Sequence, residues 1–309
     1  MNIAIITSGG DSSGMNPAIK TFVELCYEKG DTPFFIYDGL EGLIDNKIKK
    51  AKLKDVENII FLGGTIIKSS RSKRFFEKKY REIAYKNLKN HKIKKIVMVG
   101  GDGSFRALDK IHKEFKIDII GVPATIDNDI AKNDYSIGVD TALNVIREAI
   151  DDIRDTASSF KRAFVIEVMG RECGYLAMIS ALTSGADLCL IPEIKFDIEN
   201  FQLRKKDYYI AVLAEGVNRT EEVRNYFQKM GIESRITILG HIQRGGNPTS
   251  YERIMAYEFI NIALNTKQSG IVTFCNNKFK VRGVDEVVNG KYKLNSYKLS
   301  LVKKLGVKK

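Results

Sequence analysis

Apolar, strand-like runs that stop in a cluster of glycine and polar residues, each followed by a helical pattern, recur along this 309-residue chain. Ile3 to Thr7 leads into Ser8-Gly9-Gly10-Asp11 and a helix expected to carry Pro17 at its first position. Lys95 to Val99 leads into Gly100-Gly101-Asp102-Gly103-Ser104, and Ile117 to Val122, stopped by Pro123, into Thr125, Asp127, Asn128 and Asp129. Arg162 to Val168 closes on Met169-Gly170-Arg171, and Tyr208 to Ala214 on Glu215-Gly216. Ser234 to Leu239 precedes the run Gly240 to Pro248 and a helix from Ser250 to about Asn265. Such alternation predicts an α/β sandwich with a mostly parallel sheet. In open sheets of that kind ligands bind beyond the carboxyl ends of the strands, which is where these polar turns fall.

The other expected elements fit that frame. Thr32 to Tyr37 reads as a strand, and 77–92 as an exposed amphipathic helix with apolar Ile83, Ala84 and Leu88. A long helix from about Thr141 to Asp155 carries the stripe Ala142, Val145, Ile146, Ala149, Ile150 and Ile153, which is core. Gly270 to Lys309 holds one or two short strands and a basic tail. The length exceeds what one core usually serves, so two lobes are expected.

Hydrophobic residues make up 44% of the chain and charged residues 28%, ordinary for a globular protein. The N-terminus has no signal-peptide pattern, and no apolar run approaches the ~18 residues of a membrane span. Cys26, Cys173, Cys189 and Cys275 are scattered, and with three His a zinc site is not expected; the usage fits a reducing cytoplasm. The net charge of +12 permits nucleic-acid binding and equally suits an enzyme for phosphorylated metabolites. Arg decides between them. Only 15 of the 50 basic residues are Arg, and several sit beside glycine turns, where a planar fork binds phosphate bidentately. A nucleic-acid surface would instead concentrate Lys and Arg on one face with interleaved aromatics, so no nucleic-acid partner is expected.

Gly9 and Gly14 have P-loop spacing, but Met15 and Asn16 stand where Lys and Ser/Thr are required, and no GxGxxG opens a helix. At Gly100 to Ser104 glycines would let a phosphate approach the backbone while Asp102 held magnesium through oxygen. GGDG occurs in several unrelated kinase families. Thr125 to Asp129, taken alone, suits a metal site, an acid–base site or an Asx-rich turn.

With these motifs in order from Ile3 to Arg253, the chain resembles the ATP-dependent 6-phosphofructokinase family. The family's Thr-Ser-Gly-Gly-Asp stands at Thr7 to Asp11, Gly-Gly-Asp-Gly-Ser at Gly100 to Ser104, and Thr-Ile-Asp-Asn-Asp at Thr125 to Asp129. Met-Gly-Arg stands at Met169 to Arg171, and Leu-Gly-His-Ile-Gln-Arg-Gly-Gly at Leu239 to Gly246. The resemblance implies two Rossmann-like three-layer α/β lobes with mostly parallel sheets. It places a nucleotide lobe at 1–138 plus about 250–290, and a sugar-phosphate and effector lobe at 139–249 plus about 291–309. It implies transfer of the ATP γ-phosphoryl group to the 1-hydroxyl of fructose 6-phosphate, with Mg2+. Asp127 would be the general base, with Thr125 and Arg171 at the reacting end. Gly10, Arg71, Ser72, Gly101, Asp102, Gly103 and Ser104 would line the nucleotide site, Asp102 taking the metal. Thr125, Ile126, Asp127, Arg162, Met169, Gly170, Arg171, Glu215, Arg235, His241, Ile242, Gln243 and Arg244 would hold the sugar phosphate. In the family Arg162 and Arg235 reach in from a neighbouring subunit of a homotetramer. Lys20, Arg154, Gly185 and Asp187 match effector positions.

The departures from that pattern are local. Ala124 replaces a Gly common in ATP users, where pyrophosphate users have Lys. Gly103 agrees with ATP, because pyrophosphate users place Asp there. Glu24 reverses a basic effector position, and the segment between Glu193 and Glu215 is shortened. Ser12-Ser13 replaces the usual Ala-Pro, a change expected to be benign. Other GGDG kinases, acting on NAD or a lipid, lack the Thr125–Asp129 and His241–Arg244 elements.

Overall fold

The first strand, β1 (Asn2–Ser8), is buried from Ile3 to Ser8, as a strand covered on both faces must be. The chain continues through α1 (Met15–Glu28), β2 (Thr32–Ile36), α2 (Gly39–Ile44), β3 (Ile48–Lys50) and α3 (Lys78–Asn90). Next come β4 (Ile93–Gly100), α4 (Asp102–Phe115), β5 (Asp118–Pro123), α5 (Val139–Phe160), β6 (Ala163–Val168), α6 (Tyr175–Ser184) and β7 (Leu188–Leu190). Then follow β8 (Tyr209–Ala214), α7 (Thr220–Lys229), β9 (Ser234–Ile238), α8 (Ser250–Asn265), β10 (Gly270–Cys275), β11 (Lys278–Arg282), α9 (Val284–Val288) and α10 (Ser296–Val302). This computed structural model describes residues 1–305; positions 306–309 of the expected basic tail lie outside the described residues.

Two units divide the chain. One comprises Met1–Ile126, Ile130–Thr141 and Arg244–Tyr292; the other comprises Asp127–Asp129, Ala142–Gln243 and the segment from Lys293. Compared with the boundaries expected from sequence, 139–141 and 244–249 fall in the first unit and 127–129 in the second. The first unit's sheet runs β11-β10-β5-β4-β1-β2-β3, with only the edge strands β3 and β11 antiparallel to their neighbours. Its core includes Ile6, Ile36, Met98, Phe105, Ile119 and Ile271. The second unit's sheet runs β7-β8-β6-β9, all parallel, over a core that includes Val165, Leu190, Tyr209, Leu213 and Phe227. Each such side chain contributes about 1.5–3 kcal/mol on burial. The fold is α/β with mostly parallel sheets, as the strand–turn–helix pattern predicts.

Several local expectations are corrected. α1 begins at Met15, so Pro17 is its third residue. The first helical amides have no intrahelical acceptor, so a missing N–H there costs nothing. Pro123 closes β5 instead of stopping it, paired with Gly100, and the next donor, Ala124 N, reaches Gly100 O at 2.9 Å. α5 runs on to Phe160 because nothing before Lys161, with φ at 53°, breaks it. On α3 the buried face is Arg81, Ala84, Asn87 and Leu88, whereas Ile83 is exposed. Periodicity missed this because Arg81 is a buried ion: its guanidinium meets Glu114 at 2.6 and 2.7 Å and donates to Phe75 and Phe76 carbonyls. The short helices α2, α9 and α10 carry too few turns to show a period.

Candidate active site

In the first unit the ends of β1, β4 and β5 stand side by side, with Ser8 in register with Gly100 and Gly100 with Pro123. Three polar loops therefore leave the sheet at one level. Ser104 Oγ donates to Ser8 O at 3.0 Å, tying the start of α4 to the end of β1. Ser104 is buried, so one function of its hydroxyl is to hold this turn. Gly101, Asp102 and Gly103 open α4, whose unpaired amides favour an anion. A Cβ on Gly101 would lie 3.9 Å from Thr125 Cβ, which brings Thr125 to the same edge.

Asp102 is the acid in this loop, pairing with Arg106 Nε at 2.8 Å and remaining about half exposed. Among the described residues no group of three or more His, Cys, Asp or Glu could hold a metal. A lone carboxylate such as Asp102 fits magnesium, which keeps one or two protein carboxylates and takes phosphate and water for the rest.

The loop carrying Arg71 and Ser72 is fixed by its neighbours. Arg74 Nε meets Glu41 at 2.6 Å and its Nη2 meets Asp45 at 2.9 and 3.0 Å. The Ser72 hydroxyl and then Arg74 hold the Glu41 carboxyl below the usual range. Ser72 Oγ also accepts from Phe75 N at 3.1 Å. Arg71 takes no part in this knot and is exposed.

Gly10 lies under Arg244. A Cβ at position 10 would stand 2.1 Å from Arg244 Nη2, so only glycine admits the guanidinium there. Arg244 Nε meets Asp11 Oδ1 at 3.1 Å and Nη2 donates to Asp11 O at 2.5 Å.

In the second unit β6 and β8 end together, Val168 in register with Ala214. The two following turns are clamped to one another: Glu215 Oε1 accepts from Gly170 N at 3.2 Å and Arg171 N at 2.7 Å. Gly170 has φ at 134°, and a Cβ there would lie 2.4 Å from Cys173 O. Gln243, fully buried, accepts from Met169 N at 3.1 Å and donates to Gly240 O at 2.9 Å, so it scaffolds the turn. His241 and Ile242 project outward from the Gly240–Arg244 turn.

Asp127 is the buried acid of this group. Its side chain is 3% exposed and its Oδ2 lies 3.2 Å from Nε of Arg171, whose side chain is 58% exposed. Ile126, one residue earlier, is buried. Cys173 stands nearby, yet burial, with Glu193, Asp129 and Asp127 adding to it, pushes its thiol up to about 12. It is inert as a nucleophile near neutral pH.

Arg162 and Arg235 are not brought to this end. They flank the start of β6, where Glu233 takes Arg162 Nε at 2.7 Å and Arg235 Nη2 at 2.5 Å. The run of β6 separates them from Met169 by about 20 Å at ~3.3 Å per residue. Of the expected effector residues, Arg154 donates to Ser184 O and Gly185 caps α6 with φ at 62°. Asp187 pairs with Lys206 and accepts from Ile210 N at 3.0 Å. Lys20 is paired with Glu24 on α1.

Sequence reasoning missed Asp11, Arg74 and Arg81. Each is engaged by a residue far along the chain. For the two arginines the signal available was the scarcity of Arg in a Lys-rich protein; for Asp11 it was only its place in the Thr7–Asp11 motif.

Strand ends bearing glycine turns, an exposed helix N-terminus and Arg–carboxylate pairs define an α/β protein built to handle phosphorylated ligands. The phosphofructokinase family model matches residues 2–266. The ATP-dependent 6-phosphofructokinase of Sulfurimonas denitrificans is 52% identical over 316 residues, covering 98% of this chain and 99% of that one. The Staphylococcus aureus enzyme of the same name is 39% identical over 319 residues, with 99% of each covered. The solved phosphofructokinase of Saccharomyces cerevisiae superposes with a TM-score of 0.87 at 29% identity, over 98% of this chain and 46% of that one. The pyrophosphate-dependent phosphofructokinase of Marinobacter aquaeolei, 20% identical with a TM-score of 0.81 over 99% of this chain and 92% of that one, shares the fold. This chain belongs to the phosphofructokinase family.

Proposed function

We propose that the chain transfers the γ-phosphoryl group of ATP to the 1-hydroxyl of D-fructose 6-phosphate, giving fructose 1,6-bisphosphate and ADP. The observation that carries the reading is the buried Asp127 carboxylate held against exposed Arg171 on a turn clamped by Glu215. Relatives at up to 52% identity bearing the name ATP-dependent 6-phosphofructokinase support it.

Phosphoryl transfer has a loose transition state, so positioning and charge neutralisation supply most of the rate. Asp127 accepts the 1-hydroxyl proton as that oxygen bonds to phosphorus, an assistance worth on the order of 10²–10⁴-fold. Thr125 orients the acceptor end of the sugar, and Arg171 faces the transferring group. Arg244 with His241 and the Met169–Gly170 turn bind the rest of the sugar phosphate. Arg71, Ser72, Gly10 and Gly101–Ser104 bind the nucleotide. Asp102 would hold magnesium, which when bound would supply charge neutralisation on the donor phosphates.

ATP is preferred as donor over pyrophosphate. Gly103 has open space where a Cβ would stand, so packing does not demand glycine there and nucleotide fit accounts for it. The distance between Arg162, Arg235 and the Asp127 group supports a homotetramer in which these two arginines serve a neighbour's sugar-phosphate site. No helix among the described residues is long and apolar enough to cross a membrane, and we place the enzyme in the cytoplasm. Effector control through Arg154, Gly185 and Asp187 belongs to the same reading, with Lys20 partly neutralised by Glu24.

Asp127→Ser tests the reading directly. Turnover falls by at least ~100-fold while fructose 6-phosphate binding survives, as expected for loss of a general base. Near-normal turnover in that variant would contradict the assignment.

A further inference from the structure

We infer that Ser13 is a positioning residue for Arg244, fixing the main chain of the turn from which that guanidinium reaches Gly10 and Asp11. The inference rests on the proposed role of Arg244 in binding the sugar phosphate.

Ser13 is buried, and its Oγ stands 2.9 Å from Gly246 O, 3.1 Å from Gly245 O and 3.4 Å from Arg244 O. A hydroxyl has one proton, so the bond to Gly246 dominates, with the other two carbonyls turned to the same point. Three consecutive carbonyls of the turn thus converge on one buried donor.

The same end of α1 anchors two further loops. Ser12 Oγ donates to Ile137 O at 3.0 Å, and Asn16 Nδ2 donates to Leu62 O and Gly63 O at 3.1 and 3.0 Å. Gly63 in turn packs on the turn, since a Cβ there would lie 2.5 Å from Gly246 O. Residues 244–246 are thus held by Ser13 and crowded by Gly63. The guanidinium beyond them has its direction set by Asp11.

Without the Ser13 hydroxyl the three carbonyls lose their buried donor and the turn relaxes. Arg244 then spends less of its time aimed at Gly10, and the loss falls on whatever Arg244 binds. A serine that merely supports the fold would instead affect all ligands together. The Ser12-Ser13 pair that sequence alone marks as a neutral exchange for Ala-Pro is, on this account, a device of this chain for placing an arginine.

The test is a double-mutant cycle in steady-state kinetics on the full chain, with Ser13→Ala, Arg244→Ala and both together, and fructose 6-phosphate and ATP varied separately. Ser13→Ala is expected to raise the fructose 6-phosphate KM by about five- to tenfold, the size of one lost buried hydrogen bond, and to leave the ATP KM within about twofold. In the Arg244→Ala background it adds nothing further to the fructose 6-phosphate KM. An equal effect in both backgrounds, or a matched rise in both KM values, overturns the inference. If Arg244→Ala itself leaves the fructose 6-phosphate KM unchanged, the underlying reading of Arg244 fails first. Ser13→Cys, similar in volume with a weak donor, serves where Ser13→Ala does not fold; an intermediate KM supports the inference, and a wild-type KM contradicts it.

Discussion

Gly103 separates two demands a glycine can meet. Its surroundings are open, so a side chain fits the folded protein, and on the proposed function its absence leaves room for the donor at the start of α4. Gly103→Asp is therefore expected to fold normally, with an unchanged melting temperature, and to raise the ATP KM at least ~10-fold by placing a carboxylate against a phosphate. A folded variant with wild-type ATP KM would remove Gly103 from the donor site. At this scale much was legible: glycine turns and acids at strand ends announce themselves locally. The Thr125–Asp129 cluster could be picked out after its apolar strand, but locally it left a metal site, an acid–base site and a turn open, and only the family resemblance pointed to Asp127. The Arg244–Asp11 contact could not, since 233 residues separate its partners and no periodicity links them. Arg81 misled for the opposite reason, since a buried arginine looks like a surface one until its carboxylate is seen.

At the scale of elements, two buried charges hold helices to the first unit. Lys95 on β4 donates to Ala263 O at 2.7 Å and Thr266 O at 2.9 Å, capping the C-terminus of α8 with a cation. Burial holds its pKa below the ordinary value. Lys95→Met keeps the stem and strips both bonds, so a loss of about 1–3 kcal/mol is expected. Thermal unfolding should shift down by several degrees; an unchanged midpoint would show that the cap is dispensable. At the other end of α8, Glu252 accepts from Tyr135 Oη and Gly138 N at 2.6 Å and from Thr141 N and Oγ1 at 3.1 Å. It thereby gives an acceptor to the amides of Gly138 and Thr141 at the start of α5. Burial raises its pKa from 4.5 even though these four donors pull it down. A raised carboxyl contributes stability that is complete below about 4.5 and lost as pH rises through the folded value. Glu252→Gln should therefore show a shallower decline in unfolding midpoint above that pH than the wild type, whatever its starting stability. An identical slope would mean that Glu252 is not the titrating group. Element types were readable from period and breaker residues. The ends of α1 and α5 were not, because Pro17 fits any of the first helical positions, where no N–H is needed, while α5 starts on a carboxylate from another helix and stops only at Lys161.

For the whole molecule, alternation of strand and helix sufficed to predict an α/β fold, and the order of five motifs sufficed to find its relatives. The division into two units was expected from length, but its course was not. The chain crosses at Ile126 and returns at Ile130, so the tripeptide carrying Asp127 belongs to the second unit while Thr125 belongs to the first. No local pattern records such an exchange, because it depends on which core each residue joins. The charge of +12 likewise names no partner by itself; the pairing of Arg with glycine turns gave it a phosphate reading. All of this converges on one reaction, and the most direct measurement is fructose 1,6-bisphosphate formed by the full chain with magnesium and either ATP or pyrophosphate. Product is expected with ATP, and little or none with pyrophosphate. No product with either donor, or product with pyrophosphate alone, would contradict it.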